Sequence, residues 1–110
     1  MASGLEEWRE KDFDEALKAK KTFVIDFWSP WCKACKTIEP FFKDLAMAYG
    51  KVSFAKIDVS KNTSVASKMG VMSLPNIIFF NGGKVVNQII GATTKKAIEE
   101  KVKNLDLYKK

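Results

Sequence analysis

The stretch VIDFWSPWCKACK, residues 24–36, leads from an apolar run into the only two cysteines of the chain, Cys32 and Cys35. The nearly continuous apolar run at 22–28 is typical of a strand covered on both faces, although one carboxylate, Asp26, lies inside it. From Cys32 onward apolar residues recur at helical intervals, so we predict a helix that begins at the cysteines. Open α/β sheets usually have their chemistry at such a strand-to-helix junction.

The rest of the chain predicts further helices and strands on both sides of this junction. They are a first helix with Asp12 as its N-cap, a strand at 52–59, a brief helix at 62–70, strands at 76–80 and 84–90, and a final helix capped by Thr94. NGG at 81–83 predicts a hairpin turn, and Pro40 is expected to kink the central helix. This order predicts an α/β fold, with a βαβ half and a ββα half forming one mixed sheet flanked by helices.

Length and composition limit the possible classes of protein. The chain has 110 residues, which is near the usual size of one domain, so we expect residues 1–110 to form a single domain. The net charge of +6 comes from scattered lysines and one arginine, Arg9, without a basic run interleaved with aromatics, so no nucleic-acid partner is expected. We recognise neither a secretory signal nor an apolar run of about 18 residues, so we expect a soluble cytoplasmic protein without a membrane partner.

The position of the two cysteines favours a reactive dithiol. Residues three apart in a helical turn have Cβ atoms about 5–6 Å apart, which permits a disulfide after a modest adjustment. Cys32, at the helix start, is next to unpaired N–H groups that favour its thiolate and make it the nucleophile. Cys35, one turn further in, is expected to be more buried and less ionised, as suits a resolving thiol.

Two other interpretations of the pair stay open but are weaker. A structural zinc site takes four ligands, whereas the chain has two cysteines and no histidine, so a metal would have to be shared between chains. A permanent structural disulfide between Cys32 and Cys35 would close a very short loop and restrain the unfolded chain little. We therefore expect no metal ligands within one chain.

The segment VIDFWSPWCKACK resembles the active-site segment of the thioredoxin family, and the resemblance continues through Pro40, Lys56, the Leu74-Pro75 step and Gly91. It covers nearly the whole chain and implies the thioredoxin fold. It also implies a thiol–disulfide oxidoreductase that reduces protein disulfides, with a redox-active Cys32–Cys35 disulfide and no bound cofactor.

The resemblance implies a role for each matching residue. Cys32 corresponds to the attacking cysteine, Cys35 to the resolving one, and Asp26 to the buried carboxylate that transfers the resolving cysteine's proton. Lys56, from the adjacent strand, is expected to tune Asp26; the structural alternative is that Asp26 merely forms an ion pair with Lys56. Trp28 is expected to be mainly a core aromatic, because it ends the buried strand.

The resemblance also implies how substrates and electron donors are engaged. Pro75 corresponds to a cis-proline facing the dithiol, and a substrate segment is expected to dock in extended form against the backbone at Leu74. Trp31, Gly91 and Ala92 are expected to complete this shallow surface. The implied donor is a thioredoxin reductase-type protein that draws on a nicotinamide cofactor or ferredoxin, and a monomer is expected.

Two positions depart from the family pattern. Lys33-Ala34 stands where Gly-Pro is usual between the cysteines, and Leu74 stands where isoleucine, valine or threonine is common. Lys33 adds a positive charge near Cys32 and Ala34 is a good helix former, so both favour the thiolate. Because a stabilised reduced form makes a disulfide more oxidising, we predict a less negative potential than a Gly-Pro thioredoxin has. If Lys33 only faces solvent, the potential is unchanged.

Two rival functions follow from these departures and from the fold. One is a thiol oxidase or disulfide isomerase on the same scaffold, which the Lys33-Ala34 insert favours and the lack of a recognised secretory signal disfavours. The other is a thioredoxin-like interaction module without redox activity, whose function would survive replacement of Cys32 and Cys35 by serine.

Overall fold

A computed structural model describes residues 5–105, and the predicted mixed sheet with flanking helices is confirmed in it. The elements in chain order are β1 (Leu5–Glu7), α1 (Glu10–Lys18), β2 (Phe23–Trp28), α2 (Lys33–Ala48), β3 (Ser53–Asp58), α3 (Thr63–Lys68), β4 (Asn76–Asn81), β5 (Lys84–Ile90) and α4 (Lys95–Lys103). The strands form one sheet in the order β1-β3-β2-β4-β5. β1, β3 and β2 are parallel, while β4 runs antiparallel to β2 and β5 antiparallel to β4.

Alternate residues of β2 supply two separate apolar cores, one on each face of the sheet. Val24 packs with residues of α2 and α4, including Ile38 and Ile98. Phe23, Ile25 and Phe27 pack on the other face with side chains of α1 and α3. Because side chains alternate along a strand, Asp26 faces the same side as Val24, beneath α2. The sheet is therefore covered on both faces, which explains why the strand sequence is apolar almost throughout.

The beginning of the chain differs from the prediction in two respects. α1 begins at Glu10 with Arg9 as its N-cap, so Asp12 is not the N-cap but the third helical residue. Its Oδ2 accepts a hydrogen bond from the Arg9 backbone N–H at 2.9 Å, which satisfies one of the donors that a helix start leaves unpaired. β1 is absent from the predicted elements, because three residues carry little periodic signal and this strand is defined by its pairing with β3.

The helix and turn signals further along the chain agree well with the structure. α2 continues as one helix through Pro40, which has no backbone N–H to donate, and the expected kink at this residue stays a prediction. Gly82 and Gly83 both have positive φ, at 64° and 81°, as the predicted hairpin turn requires. Thr94 caps α4, and its side chain accepts a hydrogen bond from the Ala97 N–H at 3.1 Å. Within residues 5–105, no helix has the length and apolar character needed to cross a bilayer.

Candidate active site

The two cysteines lie at the N-terminal end of α2, directly after the carboxyl end of β2. Cys32 is the N-cap residue, and its Sγ accepts a hydrogen bond from the Cys35 backbone N–H at 3.1 Å. A disulfide joins the two cysteines, whose Cα atoms are 5.3 Å apart. Cys32 is half-buried, whereas Cys35 is only 3% exposed. The outer sulfur is thus the one that a second protein can approach.

Pairing in the sheet brings the predicted docking residues to the same end as the cysteines. Phe27, near the end of β2, pairs with Asn76 at the start of β4, which in turn pairs with Ile90 at the end of β5. Pro75 and Gly91 are the next residues, so both lie at this end of the sheet. The peptide bond before Pro75 is cis, as predicted.

A hydrogen bond ties the two loops of this region together. The Gly91 backbone N–H donates to the Pro75 carbonyl at 2.8 Å. Leu74 is partly exposed and Ala92 is exposed. Trp31 is 79% exposed, so its ring is accessible to a partner, while its part in docking stays a prediction. Met72, which no sequence motif marks, is 94% exposed in the loop before Leu74.

Asp26 is buried in the sheet, with 2% of its surface exposed. Its Oδ1 atom is buried and has no hydrogen-bond partner. Burial raises the pKa of the Asp26 carboxyl from 3.8 to about 7; the Lys56 ammonium opposes this rise, and the carboxylates of Glu39 and Glu7 add to it. A carboxyl group with such a pKa can both accept and release a proton near neutral pH.

Lys56 lies opposite Asp26 in the register of β3 and β2, but its ammonium pairs elsewhere. Its Nζ is 3.0 Å from Glu39 Oε1 and 3.8 Å from Glu7 Oε1. It also lies 4.3 Å from the centre of the Trp28 ring, in a cation–π contact. The alternative in which Asp26 is simply the ion-pair partner of Lys56 is therefore wrong, because two other carboxylates bind this ammonium.

Glu39 and Glu7 are the members of this cluster that the sequence analysis missed. Glu39 follows Cys35 by four residues on α2, so both lie on the same face of the helix, and that spacing could have identified it. Glu7 could not be found in this way, because its place follows from the pairing of β1 with β3. The hydrogen bond from Lys56 holds the pKa of Glu39 below its ordinary value of 4.5.

Two other predicted residues differ in their surroundings. Trp28 is not a core aromatic but is only partly buried, and its Nε1 donates to Glu7 Oε2 at 3.3 Å. Its ring lies against the Lys56 ammonium and the Glu7 carboxylate instead of joining either apolar core, which explains the difference. Lys33 is exposed at the first residue of α2, so its effect on Cys32 stays a prediction.

In the part of the chain that the structure describes, no three cysteine, aspartate or glutamate side chains are grouped so that they could hold a metal ion. The chemistry that the site can perform is that of two adjacent sulfurs and a buried carboxyl group. These groups suffice for thiol–disulfide exchange with transfer of one proton at a time.

Comparisons with known proteins agree with this chemistry. Residues 4–104 match the family model described as Thioredoxin. The chain is 37% identical over 89 residues to a thioredoxin of Alicyclobacillus acidocaldarius subsp. acidocaldarius, which covers 80% of this chain and 85% of the relative. It is 38% identical over 95 residues to a thioredoxin of Chlorobaculum thiosulfatiphilum, which covers 84% of this chain and 88% of the relative.

The similarity extends to solved structures. The oxidised form of mitochondrial thioredoxin 3 from Saccharomyces cerevisiae superimposes on this chain with a TM-score of 0.83 at 30% identity. The superposition covers 94% of this chain and 100% of the yeast chain. A thioredoxin from Trypanosoma brucei brucei gives a TM-score of 0.81 at 29% identity, covering 90% of this chain and 87% of that one.

Proposed function

Because the chain belongs to the thioredoxin family and is a protein-disulfide reductase, we propose that Cys32 is its nucleophile, Cys35 its resolving thiol and Asp26 its proton carrier. The redox group is the Cys32–Cys35 pair itself, which takes up and delivers two electrons. In this reaction the substrate disulfide is reduced to two thiols while the Cys32–Cys35 dithiol is oxidised to a disulfide.

The first step is attack by Cys32 on a substrate disulfide. The observation that carries this assignment is the position of Cys32 as N-cap of α2, where its sulfur accepts the Cys35 N–H at 3.1 Å. Such donors at the positive end of a helix stabilise a thiolate. The Cys32 thiolate forms a bond to one substrate sulfur, and the other substrate sulfur leaves as a thiolate and takes a proton from water.

In the second step Cys35 breaks the mixed disulfide. Cys35 is buried and follows Cys32 by one helical turn, so it can reach the Cys32 sulfur while a substrate covers the outside of the site. Asp26 accepts the Cys35 proton, with a pKa of about 7 that suits a base operating at neutral pH. The new thiolate attacks the Cys32 sulfur and forms the Cys32–Cys35 bond, while the bond from Cys32 to the substrate breaks. The second substrate sulfur leaves as a thiolate and takes a proton from water, and Asp26 releases its proton to solvent.

We place the docking surface at the end of the sheet where Pro75 and Gly91 lie. An extended substrate segment would pair with the backbone at Leu74, which precedes the cis bond. Trp31 and Ala92, both exposed, would contact its side chains. We expect this surface to be shallow, which would suit a protein that reduces many different disulfides.

As a thioredoxin family member, the chain receives its electrons from a reductase-type donor and passes them to disulfide substrates. We propose that this donor draws on a nicotinamide cofactor or ferredoxin and that the protein acts as a monomer in the cytoplasm. The support is chemical: a disulfide reductase needs a compartment in which reduced donors are plentiful.

The family assignment favours reduction over the oxidase and isomerase alternative, and over a module without redox activity. The less negative potential expected from Lys33-Ala34 stays a prediction. Equilibration with a glutathione buffer measures it, and a potential equal to or below that of a variant with Gly-Pro at these positions would contradict it.

The division of roles is tested by single serine variants of the two cysteines in an insulin-reduction assay. Cys35→Ser should form a stable mixed disulfide with substrate through Cys32, because the resolving sulfur is gone. Cys32→Ser should trap no substrate and lose reduction by at least about a thousandfold, in line with loss of a nucleophile. Trapping by Cys35 in the Cys32→Ser variant at the same rate would reverse the assignment.

A further inference from the structure

Three charged side chains form a row across the sheet beneath α2. Glu7 on β1 lies opposite Lys56 on β3, and Lys56 lies opposite Asp26 on β2. On each strand the residue two positions earlier packs in the core beneath α2 and α4, so alternation places all three charged residues on that same face. Neighbouring strands are about 4.8 Å apart, so the long Lys56 side chain could reach the acid on either side.

The structure shows which acids bind the lysine. Lys56 has a side chain that is 15% exposed, and its Nζ lies 3.0 Å from Glu39 and 3.8 Å from Glu7. The Trp28 ring, 4.3 Å from Nζ, covers another side of the ammonium, and its indole N–H donates to Glu7. Meanwhile Oδ1 of Asp26 has no partner. The cation next to the buried acid is thus held by two other carboxylates.

Glu39 is itself well placed for this contact. It lies on α2, one turn after Cys35, and its second oxygen is 3.5 Å from Lys43 Nζ. The ion pair with Lys43, four residues further along the helix, orients the carboxylate. Glu39 therefore links the helix that carries the cysteines to the strand that carries Lys56.

We propose that Glu39 is a positioning residue of the redox site: with help from Glu7, it holds the Lys56 ammonium away from Asp26 and so leaves Asp26 free to take the proton of Cys35. This inference rests on the role proposed above for Asp26. It assigns to Glu39 no contact with the substrate or the reacting sulfurs; the residue acts through Lys56.

The charges around Asp26 explain why the position of the lysine matters. The charged groups that act on Asp26 are Lys56 on β3, Glu39 on α2 and Glu7 on β1. The cysteines of this region are joined in a disulfide, and the partner on β4 is the uncharged Ile77. A direct ion pair with Lys56 would lower the pKa of Asp26 and make it a weaker base. Keeping the ammonium on Glu39 preserves a carboxyl group with a pKa of about 7.

The test is a titration of Asp26 in the oxidised protein, followed by carbon NMR of labelled aspartate carboxyl groups. The disulfide-bonded cysteines do not titrate in this form, so they do not obscure the signal. In Glu39→Gln the lysine loses its nearest anion, and the pKa of Asp26 should fall by about half a unit or more. Glu7→Gln should have a smaller effect in the same direction, since its carboxylate is farther from Nζ.

A matched control is Asp44→Asn, which also removes an ion-paired carboxylate from α2, but one that binds Lys95. It should leave the pKa of Asp26 unchanged. The double variant Glu39→Gln/Lys56→Gln separates positioning from direct repulsion between carboxylates. If Glu39 acts by holding the lysine, most of its effect should disappear when Lys56 is already absent.

The inference would be overturned if the pKa of Asp26 did not fall in Glu39→Gln. It would also be overturned if Glu39→Gln lowered this pKa equally in proteins with Lys56 and in proteins with Lys56→Gln. The pH profile of insulin reduction is measured on the same proteins and should move toward lower pH in Glu39→Gln. If the titration behaves as expected but the reduction profile does not move, the positioning by Glu39 stands and the proton-carrying role of Asp26 fails. The two proposals are thereby distinguished.

Discussion

Burial of the Asp26 carboxyl group in the sheet lowers the free energy of unfolding by an amount that depends on pH. Its pKa is about 7 in the folded protein against 3.8 ordinarily, so the folded state binds the proton more tightly than the unfolded chain does. The contribution of Asp26 to stability is therefore greatest below about pH 3.8. It declines as the pH rises toward 7 and is constant above that. The buried carboxyl group therefore lowers the stability of the folded protein at and above neutral pH.

We expect Asp26→Asn to show this dependence directly. Each pKa unit corresponds to about 1.4 kcal/mol of free energy. The free energy of unfolding of the variant, measured relative to the parent at the same pH, should therefore be on the order of 2–4 kcal/mol higher above pH 8 than near pH 4. Urea unfolding of the oxidised parent and variant at pH 5, 7 and 8.5 measures the difference. Asp44→Asn, an exposed change, should show no such trend. A difference between parent and Asp26→Asn that is independent of pH would rule out the raised pKa.

At the scale of elements, the turn between β4 and β5 also contacts the end of α1. The Gly83 N–H donates to the Lys21 carbonyl at 3.1 Å. A Cβ atom on Gly83 would lie 2.9 Å from the Leu17 carbonyl oxygen, whereas one on Gly82 would meet open space. Both glycines have positive φ, so the turn alone requires glycine-like residues, but only Gly83 is also restricted by a neighbouring helix.

This difference predicts unequal effects of two adjacent substitutions. Gly82→Ala should cost about 1–2 kcal/mol, the usual penalty for a side chain in the left-handed region. Gly83→Ala should cost at least about 1 kcal/mol more, because the methyl group collides with backbone that cannot move freely. Urea denaturation midpoints at pH 7 measure both. Equal losses of unfolding free energy in the two variants would show that the close approach of Gly83 to α1 does not restrict a side chain at this position.

Across the whole molecule, exposed apolar side chains are found both at the redox end and away from it. Trp31, Met72 and Ile90 lie on or next to the loops around the cysteines, whereas Met47 is exposed near the far end of α2. Large exposed apolar groups that face a reactive centre often mark the surface that binds partners. Since Trp31 contributes little to the core, its role can be tested without disturbing the fold.

We predict that Trp31→Ala weakens substrate binding while leaving stability unchanged. The KM for insulin should rise by about fivefold or more, equivalent to about 1 kcal/mol, as is common for an aromatic residue central to an interface. Steady-state kinetics and thermal unfolding of the same variant measure the two effects. Met47→Ala, which removes an exposed side chain far from Cys32, should change neither. Similar KM values for the two variants would remove Trp31 from the docking surface.

Local sequence signals were sufficient for most elements and for the central chemistry. The apolar run that contains Asp26, the glycines of the turn at 81–83 and the cap at Thr94 each act over a few residues, and all were found where predicted. The spacing of Cys32 and Cys35 at a helix start likewise predicted a pair in which Cys35 is the more buried residue, as the structure shows. These features depend on backbone geometry and helical periodicity, which are properties of short segments.

The features that were missed or misplaced depend on contacts between distant segments. β1 exists because it pairs with β3, and Trp28 lies outside the apolar cores because its ring contacts Lys56 of β3 and Glu7 of β1. Above all, the sequences of the strands do not reveal which carboxylate binds the Lys56 ammonium. Asp26, on the adjacent strand, was therefore the partner considered. Glu39 and Glu7 come from elements remote in sequence, and their competition for one ammonium is decided by distances that exist only in the folded chain.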